Sequence, residues 1–65
     1  MHILINGERH ETAHSQLHTL LNEVTDTNLP FAVAINEQFI AKSNYSDTQL
    51  SEGDRIEIVS PMQGG

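Results

Sequence analysis

The chain of 65 residues contains no cysteine, and this absence excludes disulfides, thiolate metal sites and a cysteine nucleophile together. No apolar run approaches the roughly 20 residues that a membrane-spanning helix requires. The N-terminus has no basic flank before its short apolar segment, unlike a signal peptide. We therefore expect a soluble, cytoplasmic protein that is stabilised by packing alone.

Basic residues are scarce. Three lysines and arginines stand against nine aspartates and glutamates, which gives a formal net charge of -6. Such a charge repels phosphate backbones and anionic lipid surfaces, so we expect neither nucleic acid nor a membrane as a partner. The acidity serves either solubility alone or electrostatic steering toward a basic partner protein.

The short length allows only one domain, which buries roughly 60% of the surface that its unfolded form exposes. Nearly all apolar residues must therefore converge on one core to offset the conformational entropy that folding costs. A deep catalytic pocket would compete with that core.

The first part of the chain predicts a hairpin. Apolar residues alternate from Met1 to Ile5, which is typical of a strand with one buried face. The pair Asn6-Gly7 is a strong hairpin signal, and residues 8–12 form the natural return strand.

A helix is predicted over about residues 16–25, with Ser15 at the N-cap position and Pro30 closing the loop behind it. Its apolar stripe consists of Leu17, Leu20, Leu21 and Val24. A helix this short does not persist alone in water, so the stripe must dock on a sheet.

The second half predicts another hairpin, with strands at residues 31–35 and 38–41 around the turn Asn36-Glu37. Residues 43–50 are polar and read as irregular. A turn at Gly53 then leads into a last strand at residues 55–60.

This element order predicts an α+β fold, the ubiquitin-like β-grasp, in which one helix covers a mixed sheet of about five strands. The first and last strands lie side by side and parallel at the centre of that sheet. Residues 1–60 are predicted to form the β-grasp domain, and residues 61–65 a flexible C-terminal tail that ends in Gly-Gly.

Strand alternation divides the apolar residues between two faces of the sheet. Seven residues are predicted to face the helix: Met1, Ile3, Ile5, Val33, Ile35, Ile56 and Ile58. The opposite face then receives Leu4, Ala32, Ala34 and Val59. This second set is either ordinary scattered surface or a docking patch for a partner enzyme near the root of the tail.

Side chains offer little chemistry. His14 and His18 have an i, i+4 spacing that places two imidazoles on one helix face, but no third ligand completes a metal site, so none is assigned. The serines lack a histidine and a carboxylate in a recognisable arrangement, and the turn explains Glu52 and Asp54. The chain reads as a carrier or substrate of other enzymes and not as an enzyme.

The remaining candidate is the terminal carboxylate of Gly65. Two residues without Cβ, Gly64 and Gly65, let a carboxylate enter a narrow channel, with Met62 and Gln63 as the stem of the tail. Activation as an acyl adenylate would make the terminal carbonyl electrophilic toward sulfur. The alternative is that the diglycine is an inert end.

The sequence resembles the ThiS family of sulfur carriers over nearly its whole length. The resemblance rests on residues 1–8, 17–21 and 33–36, and most specifically on residues 50–59 followed by Gly64-Gly65. One departure is Ile40-Ala41-Lys42-Ser43, where the family often has Val-Pro-Arg-Ser. The lost proline bears on loop rigidity more than on sulfur transfer.

The resemblance implies that a ThiF-type enzyme adenylylates Gly65, that a sulfur donor protein supplies the sulfur of a thiocarboxylate, and that a ThiG-type thiazole synthase uses it in thiamine biosynthesis. ATP and magnesium would belong to the activating enzyme, so no cofactor is expected on this chain. Three alternatives stay open: a molybdopterin synthase small subunit, a ubiquitin-like protein modifier, and a plain interaction domain.

Overall fold

The computed structural model describes residues 1–60, so the predicted tail at residues 61–65 lies outside the described residues. The elements, in chain order, are β1 (His2–Ile5), β2 (Glu8–Glu11), α1 (Leu17–Val24), β3 (Ala32–Ile35), β4 (Gln38–Ile40), a 3₁₀ helix (Lys42–Asp47) and β5 (Arg55–Val59). The predicted strands and helix are therefore all present, each with boundaries one or two residues shorter than expected. Among residues 1–60 no helix has the length and apolar character to cross a membrane.

The five strands form one mixed sheet in the order β2-β1-β5-β3-β4. β1 and β5 run parallel at its centre, with Leu4 opposite Arg55 and Ile5 opposite Ile56. β3 pairs antiparallel with the other side of β5. The predicted mixed β-grasp sheet, with the first and last strands adjacent, is confirmed.

The core lies between the sheet and α1. It consists of Ile3, Leu17, Leu20, Leu21, Val33, Ile35, Tyr45, Leu50 and Ile56, and Met1, Ile5, Val24 and Ile58 pack around it half-buried. All the residues predicted to face the helix are in one of these two sets. Tyr45 and Leu50 were not predicted, because they come from a segment that reads as irregular and in fact forms the 3₁₀ helix and the extended stretch after it.

The predicted N-cap at Ser15 is wrong. The cap position is Gln16, and its side chain makes no capping hydrogen bond. Instead, Gln16 forms a β-bridge with Gln49, and the Leu17 N–H donates to the Thr48 carbonyl at 3.0 Å. A neighbouring chain segment therefore satisfies a backbone donor that a side-chain cap would otherwise bind.

The turn before β5 is joined to the N-terminal strand β1 by hydrogen bonds. The Glu52 carboxylate accepts the His2 N–H through both oxygens, at 3.1 and 3.0 Å. Gly53 adopts a φ of 85°, and the Asp54 carboxylate accepts the Ser51 N–H at 2.8 Å. The block that carries the most specific part of the family resemblance therefore builds the junction between β1 and β5.

Tyr45 is the one tyrosine of the sequence. Its side chain is buried, and its ring stacks on Phe31 with the ring centroids 6.0 Å apart. Burial raises the pKa of the Tyr45 phenol above its ordinary value, because desolvation penalises the charged phenolate.

We expect alkaline pH to destabilise the domain through Tyr45. Above about pH 10 the unfolded chain releases the phenolic proton while the folded chain still holds it, so the free energy of unfolding falls as the pH rises through the folded pKa. Below about pH 10 the contribution is fully present. Urea melts across this range, with tyrosinate absorbance as the titration signal, should show that Tyr45→Phe removes this slope. An unchanged slope in the variant would contradict the assignment.

Candidate functional site

One face of the sheet is not covered by the helix, and strand register defines its members. Directly paired residues of neighbouring strands share a face, and Leu4 pairs with Arg9 and with Arg55. Continuing this register across the sheet gives the open face: His2, Leu4, Arg9, Glu11, Ala32, Ala34, Phe39, Arg55, Glu57 and Val59. It contains all four residues of the predicted docking patch.

Two apolar side chains dominate the accessible area of the open face. Phe39 is 72% exposed and Val59 is 61% exposed, whereas Leu4 and Ala34 are half-buried and Ala32 is exposed. Phe39 was missing from the predicted patch, although the alternation of β4 could have placed it opposite Ala34. The docking role of the patch stays a prediction.

The open face differs in charge from the rest of the domain. It carries Arg9 and Arg55 on either side of Leu4, together with the carboxylates of Glu11 and Glu57. These charges cancel, so the net charge of -6 lies entirely on other surfaces. Within residues 1–60 neither arginine forms an ion pair with a carboxylate, and both arginines are exposed.

The open face ends where β5 leaves the sheet. Val59 is the last residue of β5 and pairs with Ala32. The next residue, Ser60, approaches the Pro30 carbonyl with its hydroxyl at 3.5 Å. Gly65 and the other predicted terminal residues, Gly64, Gln63 and Met62, follow this point and lie outside the described residues.

Two asparagines bracket β5 from the neighbouring turns. Asn6 and Asn36 both adopt a φ of 52°, the left-handed conformation that asparagine tolerates better than most residues. The Asn36 side chain accepts the Arg55 N–H at 3.0 Å, and the Asn6 side chain accepts the Ile58 N–H at 2.8 Å. Sequence reasoning identified both turns but not these contacts.

Three of the four histidines have separate partners. His2 and His14 approach Glu11 and Glu23, each at 3.4 Å, and His18 lies 3.5 Å from Asn22. Over residues 1–60 no group of three or more histidine, aspartate or glutamate side chains lies close enough to hold a metal ion.

A concavity with a volume of about 440 Å³ lies on the helical side of the domain. Leu21, Leu29 and Phe31 supply apolar walls, and Lys42 and His18 supply polar groups. Pro30 also lines this concavity, and the Pro30 carbonyl accepts the Ser60 hydroxyl, so the concavity borders the exit of β5. The open face and the exit of β5 are the candidate site, because β5 leads from them to residue 61.

The fold and the open face define a β-grasp domain whose last central strand leads out of the sheet toward the chain terminus. Along its full length the chain is similar to the crystal structure of a ThiS thiamine biosynthesis protein from Geobacter metallireducens, which it also covers completely, with a TM-score of 0.82 and 21% identity. At this identity the similarity concerns the fold.

The model of the ThiS family matches residues 3–65, and the chain belongs to this family. It is also 35% identical over 66 residues to a protein named thiazole synthase from Paramagnetospirillum magneticum. That match includes the whole of this chain but only 20% of the other protein, so the chain spans about a fifth of its relative's length. The ThiS family is a family of small sulfur carriers of thiamine biosynthesis.

Proposed function

We propose that the chain carries sulfur as a thiocarboxylate on Gly65, and that this thiocarboxylate supplies the sulfur for thiazole formation. The family match through residue 65 is the observation that carries the proposal, since it includes the terminal diglycine as well as the folded domain. Gly65 must then have a free carboxylate in the mature protein. Intact mass of the isolated protein tests this requirement first.

The chemistry begins at that carboxylate. Its oxygen attacks the α-phosphate of ATP, pyrophosphate leaves, and the carbonyl carbon becomes part of a mixed anhydride with AMP. The terminal sulfur of a persulfide on a donor protein then displaces AMP and forms an acyl disulfide. A thiol attacks the donor-side sulfur of that disulfide, so the donor becomes part of a new disulfide and the thiocarboxylate is the leaving group. ATP and magnesium belong to the activating enzyme in this scheme.

Two enzymes act on the chain in this proposal. A ThiF-type enzyme forms the adenylate, and a ThiG-type thiazole synthase consumes the sulfur. Support for the second comes from the relative named thiazole synthase, in which a region similar to this chain occurs within one longer polypeptide. Such an arrangement favours a working contact between carrier and synthase. We expect the reaction to take place in the cytoplasm.

The open face is the proposed docking surface for the activating enzyme. Phe39 and Val59 supply exposed apolar area, and Arg9 and Arg55 are accessible cations next to Leu4. A complementary surface on the partner would therefore combine an apolar socket with carboxylates opposite the two arginines and basic groups opposite Glu11 and Glu57. Steering by the acidic remainder of the domain stays a second, independent contribution.

We expect the purified domain alone to leave its own terminus unchanged, because activation and sulfur insertion depend on catalytic groups of the partners. Incubation with ATP, magnesium and sulfide should give the parent mass. Addition of the activating enzyme and a sulfur donor should give the mass increase of one oxygen-to-sulfur exchange. Thiocarboxylate formation without the enzyme would show that the chain itself is catalytic.

The thiocarboxylated protein also distinguishes the proposed function from the alternative functions. Thiocarboxylated protein should restore thiazole formation by a thiazole synthase in a single turnover and return to the carboxylate. Sulfur delivery only to a molybdopterin synthase large subunit would favour that alternative. A mass increase on lysines of other proteins would favour a protein modifier.

A further inference from the structure

β5 continues beyond the point at which its parallel neighbour ends. The β1 ladder pairs Leu4 with Arg55 and Ile5 with Ile56, and the Asn6 N–H then donates to the Ile56 carbonyl at 2.8 Å. After this contact the main chain of β1 turns away. Ile58 is thus left without a strand on this side, although β3 still pairs with the other side of β5.

The side chain of Asn6 takes the position of the missing neighbouring strand beside Ile58. Its Oδ1 accepts the Ile58 N–H at 2.8 Å, and its Nδ2 donates to the Ile58 carbonyl at 3.2 Å. One amide therefore satisfies the donor and the acceptor of one residue, as a paired strand would. The left-handed backbone of Asn6 is what turns this side chain back toward β5.

Asn36 provides an internal comparison. It has the same φ of 52°, its N–H donates to the Arg55 carbonyl at 2.8 Å, and its side chain contacts the N–H of Arg55 and the carboxylate of Asp54. These contacts lie at the beginning of β5. Those of Asn6 lie two residues before Ser60, where the chain leaves the sheet.

We propose that Asn6 is a positioning residue for sulfur loading: it fixes the exit of β5 and with it the point from which Gly65 must reach the activating enzyme. This inference rests on the proposed function. Without the Asn6 amide, the polar groups of Ile58 must bind water, and the last residues of β5 open more often. The terminal carboxylate then spends less time in the geometry that acyl transfer requires.

The test compares Asn6→Gly with Asn36→Gly. Glycine keeps the left-handed backbone conformation in both variants. Asn6→Gly removes the side-chain hydrogen bonds near the end of β5, and Asn36→Gly removes those at its beginning. For Asn6→Gly we expect kcat of adenylate formation to fall about five- to tenfold, the factor that about one net hydrogen bond represents. KM for the carrier should change little, because the open face is intact. Asn36→Gly should lose comparable thermal stability and keep the parent kcat.

Two further readouts separate positioning from general destabilisation. Amide hydrogen exchange at Ile58 should accelerate in Asn6→Gly but not in Asn36→Gly. Asn6→Asp keeps an acceptor for the Ile58 N–H, so it should recover part of the lost kcat. Equal kcat in the two glycine variants, at matched folded fraction, would overturn the proposal.

The experiments distinguish a failure of the proposed positioning role of Asn6 from a failure of the proposed carrier function. If the parent protein forms no thiocarboxylate with a competent activating enzyme and sulfur donor, the carrier function fails and the positioning role in loading fails with it. If the parent is loaded normally and Asn6→Gly matches it, the carrier function stands and only the role of Asn6 is refuted.

Discussion

Deletion of Gly65 should abolish thiocarboxylate formation and leave the melting temperature unchanged. The chemistry of the proposed carrier lies at one carbonyl carbon, so removal of the residue that bears it moves the new carboxylate one residue short of the reacting ATP. Among residues 1–60 the buried core extends from Ile3 to Ile56. None of its members is lost in the deletion, so folding and function separate at this position.

Two companion variants sharpen the result. One residue added after Gly65 should be as damaging as the deletion, because it displaces the carboxylate in the other direction. Gly64→Ala should give an intermediate loss, because the carboxylate remains while a Cβ enters a channel that should fit only backbone. Mass spectrometry with the activating enzyme and sulfur donor supplied measures the thiocarboxylate in each case. Normal loading of the deletion variant would overturn the carrier proposal and leave an interaction domain.

Much of the fold could be predicted because local patterns and global packing agree in this chain. The stripe from Leu17 to Val24 and the alternation within β1, β3 and β5 each point to the same core. The 3₁₀ helix at Lys42–Asp47 escaped prediction for a physical reason. Its segment is polar except for Tyr45, and that side chain is buried through contacts with other parts of the chain, among them the stacked ring of Phe31.

The start of α1 also depends on a contact between segments that are distant in sequence. Ser15 has the residue type of an N-cap, but residue type does not reveal that residues 48–50 run alongside. Once they do, the Leu50 N–H bonds the Ser15 carbonyl at 2.7 Å and the Thr48 carbonyl accepts from Leu17. A tertiary contact has replaced the local signal.

The candidate site was predictable in outline but not in its polar detail. Alternation placed Leu4 and Val59 on one face, and the same rule would have added Phe39. The roles of Asn6 and Arg9 depend on which strands become neighbours and in which register. Composition alone gave a net charge of -6 but could not show that the open face is nearly neutral.

Val59→Asp should weaken binding to the activating enzyme by at least about thirtyfold while the fold persists. Val59 is 61% exposed on the open face, so a carboxylate there remains hydrated in the free protein. In a complex it would have to enter an apolar interface, where loss of a central anchor costs about 2 kcal/mol or more. Phe39→Asp should act similarly if that ring is a second anchor. Calorimetric titration of the enzyme with each variant measures the loss.

Two control variants test whether a loss of binding comes from added charge or from unfolding instead of from a lost docking contact. Leu29→Asp adds the same charge at an apolar side chain that is 52% exposed outside the open face, so its affinity should equal that of the parent. Ile56→Ala removes a side chain that is 1% exposed and should cost about 2–5 kcal/mol of stability. Ile56 is preferred to its half-buried neighbour Ile58 for this purpose. If Val59→Asp melts as early as Ile56→Ala, or Leu29→Asp weakens binding equally, the open face is not the docking surface, because the loss would then come from unfolding or from charge alone.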